Sequence, residues 1–134
     1  MAVAVVVVAV GGAVGAGLRE IVTLTFPTPS AQFPWSTFSV NVAGSFLLAL
    51  LPAFAVVRRR PLLPPLIGTG VLGGFTTFSA YSEQTRTLYV AGQQQAAGAY
   101  VLSTLACCLV AVALASRFSA RASRDEFDAE EGDL

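Results

Sequence analysis

The stretch Gly70-Val71-Leu72-Gly73-Gly74-Phe75-Thr76-Thr77-Phe78-Ser79-Ala80-Tyr81-Ser82-Glu83 decides how this chain folds. Read as a plain helix facing lipid, it is poorly made. Adjacent Gly73 and Gly74 and the β-branched Thr76 and Thr77 each lower helix propensity. Five hydroxyl side chains then fall within the seven residues 76–82. The composition predicts a helix that breaks at Gly-Gly-x-Thr-Thr. Broken backbone at membrane depth is tolerated only where it is buried in protein or lines a wet cavity. Carbonyls freed at such a break make an oxygen cage suited to a small monovalent cation. The competing reading is a kinked helix whose hydroxyls bond back to i−4 carbonyls.

Membrane depth is the right frame because of the rest of the sequence. Of 134 residues, 54% are hydrophobic and 12% charged, and the mean hydropathy is +0.69. A soluble domain carries about a quarter charged residues. Residues 1–124 hold all eight arginines against only Glu20 and Glu83, and the other six acids lie at 125–133. The zero net charge therefore conceals a basic, apolar body with an acidic tail. Charge-free stretches predict four spans, at about 2–19, 36–57, 66–88 and 96–116, each near the ~20 residues that cross a bilayer. The first lacks the basic start and the A-x-A site of a signal peptide. Between the first two, Phe26-Pro27-Thr28-Pro29 and Phe33-Pro34-Trp35 have the composition of an interfacial loop. The organisation expected is a transmembrane domain over 1–118 and a charged, disordered tail over 119–134. Arg58, Arg59, Arg60, Arg117, Arg121 and Arg124 fall on one side of the membrane, Arg19 and Arg86 on the other. That bias predicts a cytoplasmic N-terminus and tail.

Several chemistries are excluded by composition. The chain has no histidine and no lysine, so His-based triads, Schiff bases and Walker-type phosphate lysines are impossible. Cys107-Cys108 lacks the C-x-x-C spacing of zinc or redox sites. No nucleophile–base pair can be assembled, so the chain is not read as an enzyme.

Polar residues inside the spans carry what chemistry remains. Thr37 and Asn41 stand four residues apart, on one helix face. An amide in hydrocarbon needs a partner helix or a water-filled cavity. It serves either as interhelical glue or as an uncharged donor to an anion. Gly11/Gly15 and Gly70/Gly74 are G-x-x-x-G pairs that permit close helix packing, within one subunit or between two. Four helices leave little room for a path shielded from lipid, which favours an oligomer.

Three motifs now line up. Gly73-Gly74-Phe75-Thr76-Thr77-Phe78-Ser79 resembles the third-helix signature of the small fluoride channels, the Fluc or CrcB family. Ser36-Thr37-Phe38-Ser39-Val40-Asn41-Val42-Ala43-Gly44-Ser45-Phe46 resembles its second-helix motif, and Gly11-Gly12-Ala13-Val14-Gly15-Ala16-Gly17-Leu18-Arg19 its first-helix glycine run. The similarity spans about residues 5–116. It implies an all-α membrane protein with four helices per subunit, the third broken mid-membrane, assembled as an antiparallel dimer with two fluoride pathways. It implies a central structural Na⁺ held by the backbone carbonyls of Gly73 and Thr76. By resemblance the pathway residues are Asn41 and Thr37 on the second helix, Phe78 and Tyr81 on the third, and Tyr100 and Thr104 on the fourth. Ser79 adds a hydroxyl, and Arg19 takes a vestibule or interface role. Two departures stand out. Tyr81 replaces the family's second phenylalanine. The family's acid six residues beyond the first phenylalanine falls on Gln84, with Glu83 one residue early.

The function expected is passive export of cytoplasmic fluoride across a bacterial or archaeal plasma membrane. Partners are the fluoride ion, the lipid bilayer, and a second subunit that is either an identical chain or an oppositely oriented paralogue. Nothing points to nucleic acid. The alternatives are a small proton-coupled multidrug transporter, which needs a mid-span carboxylate that this sequence lacks, and a non-transporting membrane subunit.

Overall fold

The computed structural model describes residues 2–29 and 32–132. Among these the chain is all-helical. Helix α1 covers Ala2–Thr25 and runs past Arg19-Glu20, where charge alone predicts its end. Helix α2 covers Trp35–Leu50. Pro52, which lacks an amide donor, falls in the 3₁₀ turn Leu51–Ala53 that follows, so the predicted second span does not run on as one helix to Val57. A short α3, Ala55–Arg59, carries Arg58 and Arg59 in its last turn, and Arg58 donates back to the Pro52 carbonyl. Helix α4 is wound as a π-helix over Pro64–Leu72 and ends in the single α-turn Gly73–Phe75. Its prolines occupy the first turn, where amide donors are not needed. Helix α5 covers Phe78–Val90, and α6 covers Gln94–Gly132. The expectation of a disordered tail falls largely on residues whose side chains lie outside the described part; the backbone is helical as far as Gly132.

Among the described residues, three helices are long and apolar enough to cross a membrane: Ala2–Thr25, Trp35–Ala53 and Gln94–Ala122. In lipid a helix satisfies every backbone polar group internally, which overrides the weak propensity of the valine-rich α1. The residues between Pro64 and Val90 are divided at Thr76–Thr77 and form no single helix of that length.

Two packing seams position the rest. Helix α1 lies along α4, and α2 along α6, with α5 set against α6. The first seam is built from glycine. A Cβ on Gly11 would stand 2.4 Å from the Leu66 carbonyl oxygen, one on Gly15 1.9 Å from that of Val71, and one on Gly74 2.3 Å from that of Gly12. Both G-x-x-x-G pairs are thus used inside the subunit, backbone against backbone. On α2, a Cβ at Gly44 would strike Thr76 Cγ2 at 2.3 Å, so this glycine lets α2 close on the α4–α5 junction. The core beside the second seam is Leu88, Ala97 and Tyr100, with Phe33, Phe38 and Tyr81 packed against it.

Candidate anion pathway at the α4–α5 junction

The junction is two residues of extended backbone. Thr76 has φ −76°, ψ 158° and Thr77 φ −149°, ψ 123°. A continuous helix would direct the Thr77 N–H to the Gly73 carbonyl and the Ala80 N–H to the Thr76 carbonyl. Both donors go elsewhere. Thr77 N donates to Asn41 Oδ1 at 2.9 Å, and Ala80 N to Thr77 Oγ1 at 3.2 Å, an N-cap for α5. Asn41 Nδ2 in turn donates to the Thr77 carbonyl at 3.0 Å. The amide of α2 therefore grips the junction at two points, replacing the backbone partners that Thr77 lacks. The Thr76 hydroxyl does bond back to the Leu72 carbonyl at 3.0 Å, the local i−4 bond of the kinked-helix alternative, yet the backbone beyond it is extended. The Thr76 carbonyl accepts from Arg19 Nη1 at 3.2 Å, which ties the end of the glycine seam to the same point.

A cleft of about 440 Å³ opens beside the junction between α2, α5 and α6. Asn41, Thr77, Phe78, Tyr81 and Thr104 line it, and among the described residues no charged side chain does. Phe78 stands at its lip, 79% exposed, with its ring centroid 5.8 Å from that of Tyr81. The Tyr81 hydroxyl donates to the Val101 carbonyl at 3.2 Å, so its proton is already engaged rather than offered to the cleft. The Tyr81 ring packs on Tyr100, centroids 5.2 Å apart. Tyr100 is fully buried and sits behind the lining, its hydroxyl donating to Gln84 Oε1 at 3.0 Å. Thr37 is buried there too. Its Oγ1 makes no hydrogen bond of normal geometry, although it lies close enough to the Tyr100 hydroxyl to interact with it. Thr104 is 5% exposed and its Oγ1 is likewise unpartnered.

The candidates therefore sort into groups. Asn41, Phe78, Tyr81 and Thr104 meet in one cleft. Thr37 and Tyr100 form the layer behind it, and Ser79 is exposed beside it, its Oγ 3.2 Å from Thr77 Oγ1. Gly73, Thr76 and Arg19 gather at the junction itself. Two residues have contacts that the sequence does not assign to them. Thr77 both caps α5 and receives the amide grip, and its place just before the aromatic run was the available signal. Gln84 reaches Tyr100 because it lies three residues beyond Tyr81 on α5, whereas Glu83 is turned outward into an exposed pair with Arg86 at 2.8 Å.

A family model described as "CrcB-like protein, Camphor Resistance (CrcB)" matches residues 6–116. The chain belongs to this family. Similar curated members bear out the assignment. The fluoride-specific ion channel FluC 1 of Streptomyces coelicolor is 45% identical over 117 residues, covering 84% of this chain and 74% of that protein. FluC 2 of Nocardia farcinica is 41% identical over 123 residues, 87% of each chain. FluC of Chelativorans sp. is 44% identical over 109 residues, 78% of this chain and 86% of its own length. All three are named for fluoride. The junction and its cleft lie inside the region matched by the CrcB family, and the charged end of α6 lies beyond it.

Proposed function

We propose that this protein is a fluoride-selective channel of the bacterial or archaeal plasma membrane, releasing cytoplasmic fluoride down its electrochemical gradient. The observation that carries this reading is the uncharged cleft at the Thr76–Thr77 junction, where an amide, an unpartnered hydroxyl and an aromatic ring converge. The names of the relatives support the choice of ion.

Moving fluoride from water into a low-dielectric medium costs on the order of tens of kcal/mol, so a pathway must replace most of the hydration shell. Asn41 commits one amide proton to Thr77 and keeps the other for an ion. Thr104 holds its hydroxyl without a partner. The edge of an aromatic ring is its positive part, so Phe78 attracts an anion weakly through C–H groups. Neutral donors in series bind strongly enough to admit the ion and weakly enough to release it. A fixed cation in the cleft would trap fluoride instead. Chloride, larger and softer, meets a passage fitted to the smaller ion.

In this reading α4 and α5 together make the third of four spans, broken near mid-membrane, and the working unit is an antiparallel dimer with two pathways, each lined by both subunits. The exposed ring of Phe78 supports a partner that completes the lining. A central structural Na⁺ would be held by the carbonyls of Gly73 and Thr76. The chemistry of this chain fits, since the helical donors of these two carbonyls, Thr77 N and Ala80 N, are turned elsewhere. The Thr76 carbonyl gives one lone pair to Arg19 and has a second. A cation there would add positive potential near the pathways and join the two junctions. The partner is a second copy or a paralogue. The six-to-two arginine asymmetry favours a paralogue inserted the other way, with this chain's N-terminus and tail cytoplasmic. Relatives numbered FluC 2 and FluC 3 occur together in Streptomyces avermitilis.

The test is efflux. The protein, expressed alone and with a candidate paralogue, is reconstituted into fluoride-loaded liposomes and read with a fluoride electrode. Rapid release in either preparation is expected. No release from either, together with pH-driven transport of a cationic dye, would replace this reading with the proton-coupled one.

A further inference from the structure

Helices α2 and α6 enclose a second recess of about 720 Å³, on a different face of both helices from the cleft. It runs from Phe38 to Leu47 along α2 and from Ala106 to Leu114 along α6, and among the described residues its lining carries no charge. At 1.5 Å per residue the α2 wall is about 14 Å long. One leaflet supplies about 15 Å of the ~30 Å hydrocarbon core. The recess therefore has the depth of a single acyl layer.

Its two walls point the same way. Phe33, just before α2, meets Tyr100 near the start of α6, ring centroids 5.2 Å apart, while the 3₁₀ turn Leu51–Ala53 after α2 packs on α6 further along. The Leu47 and Leu114 end thus lies toward that turn, and this end is basic. Arg117 and Phe118 follow Leu114 by three and four residues and Arg121 by seven, which keeps them on its face of α6; all three are exposed. Arg117 stands about 4.5 Å along the helix from Leu114, the step from hydrocarbon to headgroup. Helix α3 packs on the same 3₁₀ turn and brings Arg58, Arg59 and Arg60 to this end. Among residues 21–124 the sequence has one acid, Glu83, which is paired with Arg86. Asp125 comes eight residues after Arg117, about 12 Å along the helix and beyond the screening length of about 8–10 Å.

We propose that this recess holds an acyl chain of an anionic phospholipid whose phosphate rests on the Arg117 guanidinium. The proposal does not depend on which ion the protein carries. A smooth helix face meets lipid tails indiscriminately, whereas a recess one leaflet deep with arginine at its mouth distinguishes lipids by headgroup. Guanidinium N–H groups donate in pairs to phosphate oxygens. The arginines of α3 add to the positive potential there, and the exposed ring of Phe118 has the character of a residue at headgroup depth.

The experiment counts lipids retained by the purified protein in native mass spectrometry, during titration with palmitoyl-oleoyl phosphatidylglycerol or with phosphatidylcholine bearing the same chains. Phosphatidylglycerol is expected to bind at least about fivefold more tightly, the effect of one arginine close to an anionic surface. Arg117→Gln should remove that preference and leave the weaker phosphatidylcholine binding in place, while Arg117→Lys, which keeps the charge, should retain most of it. Cys107→Phe, at an exposed position lining the recess, sets a ring where the chain lies and should weaken both lipids. The comparison of the two lipids on the wild-type protein needs no variant, so it decides the matter even if a variant does not assemble. Equal retention of both lipids by the wild type overturns the proposal. A preference that survives Arg117→Gln overturns it as well. Loss of the oligomer in Cys107→Phe with lipid binding unchanged also overturns it, and gives the recess to a second copy of the chain.

Discussion

Replacing Asn41 by aspartate separates the two tasks assigned to that side chain. The carboxylate still accepts the Thr77 N–H, now bound at 2.9 Å, but loses the amide donor that reaches the Thr77 carbonyl at 3.0 Å. Leaving that carbonyl unmatched costs about 1–3 kcal/mol, a measurable fall in melting temperature that still leaves a folded protein. The effect on conduction is larger. A unit negative charge about 4 Å from a passing anion raises its energy by about 4 kcal/mol at an effective dielectric constant of about 20. At 1.36 kcal/mol per decade this slows fluoride by roughly a thousandfold. The assay is electrode-monitored efflux from liposomes, with size-exclusion and thermal melting on the same preparation. If Asn41→Asp conducts within about tenfold of the wild type while folded, Asn41 does not face the ion, and the pathway drawn through this cleft is wrong.

Other perturbations test the frame around it. Gly15→Ala drives a Cβ to 1.9 Å from the Val71 carbonyl oxygen and should destabilise the α1–α4 seam by more than about 1–3 kcal/mol, whereas Gly17→Ala meets nothing within 4 Å and should match the wild type or exceed it by up to about 1 kcal/mol through better helix propensity; thermal melting in detergent compares the two. Gln84→Leu removes the acceptor from the fully buried Tyr100 hydroxyl and should cost about 1–3 kcal/mol, while Glu83→Gln, at an exposed pair, should leave both melting and flux unchanged. If the carbonyls of Gly73 and Thr76 hold a structural Na⁺, replacing Na⁺ by a bulky organic cation should lower the melting temperature of the purified protein, with Na⁺ titration restoring it. A flat response would exclude a structural ion at the Gly73 and Thr76 carbonyls.

Much of this architecture is legible in the sequence because lipid leaves few options. Unbroken apolar runs at α1, α2 and α6 can satisfy their backbones only as helices, and adjacent glycines followed by adjacent threonines mark the α4–α5 junction. Element ends were less legible. Pro52 sits in an apolar context that hides its effect on α2, and the π-winding of Pro64–Leu72 has no signature in hydropathy. At the site, helical spacing put Thr37 and Asn41 on one face and resemblance to the family's motifs added Phe78, Tyr81 and Thr104, but neither says which hydrogen bonds are already made. The Tyr81 proton belongs to Val101, and half of the Asn41 amide belongs to Thr77. Gln84 was seen as a departure from a pattern, and only tertiary packing reveals it as the partner of Tyr100.

The sharpest measurement loads one set of liposomes with fluoride and chloride together and follows both ions after reconstitution of the assembled protein. Passage along uncharged donors and a ring edge predicts that fluoride leaves while chloride stays behind. Release of both at similar rates would contradict the account, because the cleft beside Thr76 and Thr77 would then act as a general anion leak rather than a passage fitted to fluoride.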